Sequence, residues 1–594
     1  MTTSRRTFLI SATAVAAAST MGLAGCSSGN AGGGSGSGSN GKHNAAKTSK
    51  IAVGTKADST GPAPEAPGAT KGGTVQVINR GDFTHLDPQR IYYAPNSSLD
   101  LMVTRALTGY KIADDGSMTL VGDLATDVGT VSDNGKTWTF TLKDGLKWED
   151  GSAVTSADVK YSIERGFADF TTEGATYAQG WLTGSLTDFR KKYSGPYTGK
   201  SLDAVQTPDD KTVVFKLQTA RQDFNFTLAM YTYAVASKKH DTKQAYDKKP
   251  YSCGPYRITS HVTDKSMELV RNEHWDPKTD PIRNAYPDKF EFEFGPTSLA
   301  GTDRFIADAG KDKYAVTIDI NVATERVQTV LTDPKFKSRI VQGIGSGTSM
   351  WSINTTRITD TEVRKALNIA WPLQQIRQTA GGDSFGDYAT TIMSPLVSGY
   401  EKFDLYGKLT TPTGDPVKAK AMLKKIGKVG QKIVLAYPQT DTYDKIAVVI
   451  QRALEKAGFN CITKPVDQNS MYDIFGKVDN KYDVYWTAWS ADWPTGYTVF
   501  QPLFDKGTVF DNSPNYAHFT SPAVTKAIAA ATAIADQEQA GKAWAALDKQ
   551  IMEQAPVIPE FYMRRMYLHG SKVGNVQMDP NFDGCMLYKL YVKK

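Results

Sequence analysis

Between Lys136 and Lys143 the side chains alternate without a break. Trp138, Phe140 and Leu142 face one way, and Thr137, Thr139 and Thr141 face the other. A period of two predicts a half-buried strand, which folds only against an apolar layer. Asp144-Gly145 predicts a turn, and Leu146-Lys147-Trp148 continues the strand beyond it. Thr155, with Asp158 three residues later, predicts a capping box that starts a helix carrying Val159, Ile163 and Phe167 at helical spacing.

The same mixture recurs along the chain. Val75–Asn79 and Thr212–Leu217 read as strands, and Pro95–Leu107 reads as a helix with Leu99, Met102, Val103 and Ala106 on one stripe. Thr361–Trp371 and Lys445–Ala457 read as amphipathic helices. Gly458 closes the second of these, and Phe459–Lys464 reads as the strand after it. Pro522–Gln554 reads as helix with an interruption near Gly541. Gly343-Ile-Gly345-Ser-Gly347 reads as a turn entering a strand. Strands and helices mix without a strict repeat, so the class is α/β or α+β with several lobes.

The N-terminus is an address. Arg5-Arg6 precedes a short Ala-rich apolar run, too weakly apolar and too interrupted for a membrane span, and the run ends in Leu23-Ala24-Gly25-Cys26. Ser4-Arg5-Arg6-Thr7-Phe8-Leu9 resembles a twin-arginine export signal. Leu-Ala-Gly-Cys resembles the lipobox of bacterial lipoproteins, which implies cleavage before Cys26 and lipid on its thiol. The competing reading is a simple secretory signal with an incidental cysteine. Residues 27–41 are almost entirely Gly, Ser and Asn, and residues 42–71 are rich in Lys, Thr, Pro and Ala. Neither stretch has apolar periodicity, so 26–71 is expected to be a flexible linker.

Composition excludes several functions. The net charge of +7 is scattered rather than gathered into a stripe, which excludes a nucleic-acid footprint. The histidines, at 43, 85, 240, 261, 274, 518 and 569, form no His-x-x-x-His pair, and no Gly-x-Ser-x-Gly elbow is present. Gly195-Pro-Tyr-Thr-Gly199-Lys200-Ser201 mimics a phosphate-binding loop but is one residue short between its glycines, so it reads as a surface turn. No constellation argues for an enzyme, a cofactor or a metal. Besides Cys26 the cysteines are Cys253, Cys461 and Cys585, an odd number that permits at most one internal bridge.

The stretch KTWTFTLKDGLKWEDGSAVTSADVKYSIERG, from Lys136 to Gly166, resembles the signature of the family 5 extracellular solute-binding proteins. These are the oligopeptide, dipeptide and nickel binders of ABC importers. Further pieces resemble the family in order: Leu86-Asp87-Pro88; Gly254-Pro255-Tyr256; Leu269 to Asn272 with Trp275; Asn354 with Glu362 to Leu367; Tyr482-Asp483; Trp489-Ser490-Ala491-Asp492; and Pro556 to Pro559. The resemblance implies an α/β, two-lobed periplasmic-binding-protein-like fold (type II, with an extra subdomain in the first lobe) working as a hinge-closing clamp. Its parts would be a signal peptide at 1–25, a lipid-anchored linker at 26–71, a first lobe at 72–345 with a subdomain near 106–222, a second lobe at 346–560, and a return to the first lobe at 561–594.

What the resemblance implies for the site is specific. Asp492 would pair with a peptide's α-ammonium, and Trp489, Ser490 and Ala491 would pair with its backbone. Tyr92, Tyr93 and Ala94 would form the opposite wall. Trp486 would line the cleft, and Lys477 would help neutralise a ligand carboxylate. Acidic and basic residues seen in relatives are replaced here by Tyr92 and Trp486, which implies a larger, more apolar ligand. The implied partners are a peptide, ABC permease subunits with separate ATPase subunits, and a membrane reached only through the lipid. The chain is expected to be a monomer on the outer face of the cell membrane. Oligosaccharide, nickel and haem binding on the same scaffold, or a sensor without a permease, are the alternatives. The same map places Cys253 and Cys585 in one lobe and implies that any disulfide joins them.

Overall fold

The computed structural model describes residues 51–92, 96–468 and 470–594. Two long antiparallel strands organise it. β13 (Ile340–Ile353) and β18 (Val557–Leu568) lie side by side in a six-stranded sheet of order β14-β18-β13-β17-β15-β16. The other members are β14 (Gly386–Tyr388), β15 (Lys432–Pro438), β16 (Asn460–Val466) and β17 (Val484–Ser490). One half of the strand pair packs with the helices of this sheet, where Trp351, Ile353, Ile558 and Phe561 meet Leu367, Ile446, Ile450 and Leu454 in one core. The other half buries Met566 and Leu568 against Ile78, Phe305, Ile320 and Phe336 in a separate core. Two strands of one ladder therefore serve two lobes.

The ladder breaks near the middle of β13. Pairing between β13 and β18 shifts register between Ile344 and Thr348. Gly345 lies in this break, and a Cβ there would come within 2.4 Å of the Asp583 carboxylate. The Gly343–Gly347 cluster is thus inside a strand, not a turn before one. Its glycines permit close approach of the C-terminal segment rather than a change of direction.

The first lobe is built on a five-stranded sheet of order β12-β2-β11-β10-β9. Its strands are β2 (Thr74–Asn79), β9 (Tyr256–Val262), β10 (Ser266–Arg271), β11 (Lys289–Phe294) and β12 (Ala315–Val316). Beside it is a four-stranded sheet of order β5-β6-β8-β7, made of β5 (Thr130–Ser132), β6 (Thr137–Thr141), β7 (Val205–Gln206) and β8 (Thr212–Lys216). Trp138, Phe140 and Leu142 are buried as their alternation predicts, while Thr141 is exposed. The Asp158 carboxylate accepts the Thr155 backbone N–H at 2.9 Å and starts the helix Ser156–Arg165.

Several expectations need correction. Residues 51–71, expected to belong to a flexible linker, lie on the folded body. β1 (Ile51–Val53) pairs in parallel with β4 (Met118–Gly122), which also pairs with β3 (Thr108–Ile112). Ser59 is fully buried, and its hydroxyl accepts the Gly122 N–H at 2.8 Å. The helix expected over 95–107 spans Ser97–Val103 and ends before Ala106, the last residue of its apolar stripe. The late helical region is two helices, Pro522–Thr532 and Gln537–Met552. The break falls before Asp536, whose carboxylate accepts the Gln539 N–H, and Gly541 lies inside the second helix against Gly399. Cys253, Cys461 and Cys585 are all buried free thiols, so the Cys253–Cys585 bridge is not made.

Candidate ligand-binding cleft

Asp492 stands just past the end of β17. That strand pairs with β13 along its whole length, with Trp351 opposite Trp486 and Thr348 opposite Trp489. Val484 and Tyr485 are fully buried, which fixes the strand in register. The turn after it is pinned by side chains. The Trp489 indole N–H donates to the Thr498 carbonyl at 2.7 Å, and the Thr498 hydroxyl donates to the Trp493 carbonyl at 2.8 Å. The turn that carries Asp492 is therefore held in place by its neighbours.

Two phenols reach it from the first lobe. The Tyr177 hydroxyl donates to Asp492 Oδ2 at 2.5 Å, and the Tyr92 hydroxyl donates to the same oxygen at 3.0 Å. Tyr177 begins the short helix Tyr177–Thr183 near the four-stranded sheet. No salt bridge to Asp492 occurs among the described residues. Burial raises its carboxyl to about 6, and the two phenolic hydrogen bonds only partly offset that rise. Burial and the nearby carboxylate push both tyrosines well above the usual phenol value, so they remain donors. A shielded carboxylate with hydrogen-bond donors on one oxygen and no cation is suited to take up a positively charged group.

The family model for bacterial extracellular solute-binding proteins, family 5 (middle region), matches residues 119–511. The chain belongs to this family. It is 24% identical over 573 residues to the periplasmic oligopeptide-binding protein OppA of Salmonella typhimurium, covering 93% of this chain and 99% of that one. It is 25% identical over 491 residues to the glutathione-binding protein GsiB of Pectobacterium atrosepticum, covering 80% and 86%. The solved structure of clavulanic acid biosynthesis oligopeptide binding protein 2 superposes with a TM-score of 0.82 at 27% identity, covering 88% of this chain and 96% of that one. The family and the two-lobed α/β architecture expected from Lys136–Gly166 and its companion segments are thereby established.

Within this family 5 fold the expected site residues separate. Tyr92, 40% exposed, meets Asp492 across the crevice. Trp489 and Ser490 are half-buried, and Ala491 is buried in the larger core. A Cβ at Gly347 would approach the Ser490 hydroxyl to 2.6 Å, which places Ser490 beside the crossing strands. Trp486 points to the opposite face of β17 from Trp489 and packs edge-on against Tyr443 in the second-lobe core. Lys477 is an exposed side chain whose ammonium pairs with Asp511 at 3.6 Å. Tyr93, Ala94 and Cys26 lie outside the described residues. Tyr177 is the contact that sequence reasoning missed. It lies in a short helix with no distinctive pattern, and only a contact across 315 positions gives it a role.

Proposed function

We propose that this chain is the cargo-binding lipoprotein of an ABC importer for peptides, with the peptide's α-ammonium seated on Asp492. The observation that carries this reading is the shielded Asp492 carboxylate, approached by Tyr177 and Tyr92 and matched by no cation among the described residues. Relatives whose names specify oligopeptides, glutathione and D,D-dipeptides support the same cargo class. All of these carry a cationic amine.

In this reading residues 72–345 with 561–594 form one jaw and 346–560 the other, hinged where β13 and β18 change register. Cys26 carries the lipid that keeps the clamp at the outer face of the membrane, where one lipid-tethered molecule raises its own concentration at a permease. ATP is hydrolysed by a separate subunit. Mass spectrometry of small molecules retained by the full-length protein from its native source tests the cargo. Peptides with free N-termini are expected, and a retained sugar, haem or nickel ion without peptide overturns the reading.

A further inference from the structure

Arg165, the last residue of the helix Ser156–Arg165, is 0% exposed, and its guanidinium makes five hydrogen bonds. Nη1 and Nη2 donate to the two oxygens of Asp87 at 2.6 and 2.7 Å. Nη1 also donates to Gln89 Oε1 at 2.9 Å, Nη2 to the Lys243 carbonyl at 3.0 Å, and Nε to Asp241 Oδ1 at 3.1 Å. Asp241 is held in turn by the hydroxyls of Tyr161 and Tyr197, at 2.6 and 2.5 Å. The false phosphate loop Gly195–Ser201 supplies Tyr197.

The segment that these groups grip, His85 to Tyr92, belongs to no strand. Its backbone donors go to carboxylates in place of a ladder. Asp247 Oδ1 accepts the Leu86 and Asp87 N–H groups at 2.7 and 3.0 Å. Asp247 Oδ2 lies 2.7 Å from His85 Nδ1 and accepts Arg90 Nη1 at 2.9 Å. Asp87 Oδ1 accepts the Gln89 N–H at 3.2 Å and starts the single turn Pro88–Arg90. Tyr92 follows that turn, and its hydroxyl reaches Asp492. Every gripping partner lies on the Tyr92 side of the crevice, so the brace does not depend on how the crevice stands.

A planar guanidinium bound at five points fixes direction as well as distance, which a lysine ammonium cannot do. We propose that Arg165 is a positioning residue for cargo binding, acting through Asp87 to set where the segment His85–Tyr92 places the Tyr92 phenol. The proposal rests on the reading of Asp492 as the cargo seat.

Hydrogen exchange of full-length wild type and Arg165→Lys, read by mass spectrometry, tests the brace without cargo. Exchange across 85–92 should rise about tenfold or more, the effect of losing one charged hydrogen bond, while β6 and β8 exchange as in the wild type. Unchanged exchange across 85–92, or an equal rise in all three segments, overturns the proposal. If Arg165→Lys fails to fold, Asp87→Asn carries the same comparison. A second measurement reads function: retention of an equimolar library of free-amine tetrapeptides by wild type, Arg165→Lys, Tyr92→Phe and the double variant. Arg165→Lys should lower retention in the wild-type background and add little to Tyr92→Phe. An equal further loss in the Tyr92→Phe background overturns the proposal. A wild type that retains no peptide, or a Tyr92→Phe that retains as much as the wild type, contradicts the reading of the cargo seat, and the exchange result then decides the brace alone.

Discussion

Tyr177 and Asp492, 315 positions apart, share a 2.5 Å hydrogen bond across the crevice between lobes. The tyrosine comes from a short helix beside the four-stranded sheet, and the aspartate from the end of β17. The Asp492 carboxylate is thus shaped from both sides. The charge state of that carboxylate is coupled to its burial and to what it can bind.

That coupling gives a pH dependence. Burial raises the Asp492 carboxyl from 3.8 to about 6, so a cationic amine meets the ionised form above pH 7 and a largely neutral one at pH 5. Affinity for a free-amine peptide should fall about tenfold between pH 7 and pH 5, with proton release on binding near pH 5. Without a bound cation the sign reverses for folding. The unfolded carboxyl ionises near 3.8 and the folded one near 6, so this residue's contribution to stability is present at low pH and is lost as pH rises through 6. Calorimetry in buffers of different ionisation enthalpy measures the first effect, and denaturant titrations from pH 4 to 7 measure the second.

The cysteines should be inert. Burial pushes the Cys253, Cys461 and Cys585 thiols up to about 12, which leaves almost no thiolate at neutral pH. A thiol reagent should modify none of the three in the native protein and all three after unfolding without reductant. Non-reducing peptide mapping should find no bridge among them.

Residues 51–71 should contribute to stability rather than act as a leash. The buried Ser59 hydroxyl accepts the Gly122 N–H and donates to the Thr55 carbonyl at 2.9 Å. Ser59→Ala leaves the Gly122 N–H without its acceptor and should cost about 1–3 kcal/mol in denaturant unfolding. Exposed Gly81→Ala, where an added Cβ meets nothing within 4 Å, serves as the neutral comparison.

The parts of the molecule legible in its sequence are those set by local rules. The alternation around Trp138 and Phe140 is a strand because its period matches the pleat, and Thr155 with Asp158 caps a helix because both partners lie within one turn. The segment from Trp489 to Asp492 could be singled out through its family resemblance. The rest depends on distant partners. Residues 51–71 have no periodicity of their own and fold by pairing with the backbone of β4, whose Gly122 N–H donates to the Ser59 hydroxyl. Gly345 looks like turn chemistry until Asp583 is seen against it. Lys477 fits a ligand-neutralising position by family resemblance, yet in the fold its ammonium faces Asp511 at 3.6 Å on the exposed surface. Trp486 was expected in the cleft, but its parity along β17 turns it toward the core.

The central claim is that Asp492 receives the ammonium of a peptide. Isothermal titration of wild type and Asp492→Asn with one peptide in free-amine and N-acetylated forms tests it most directly. The substitution should weaken binding of the free-amine form by about 1.5–3 kcal/mol, the range for a charged hydrogen bond, and leave the acetylated form nearly unchanged. Equal losses for the two forms would contradict the account.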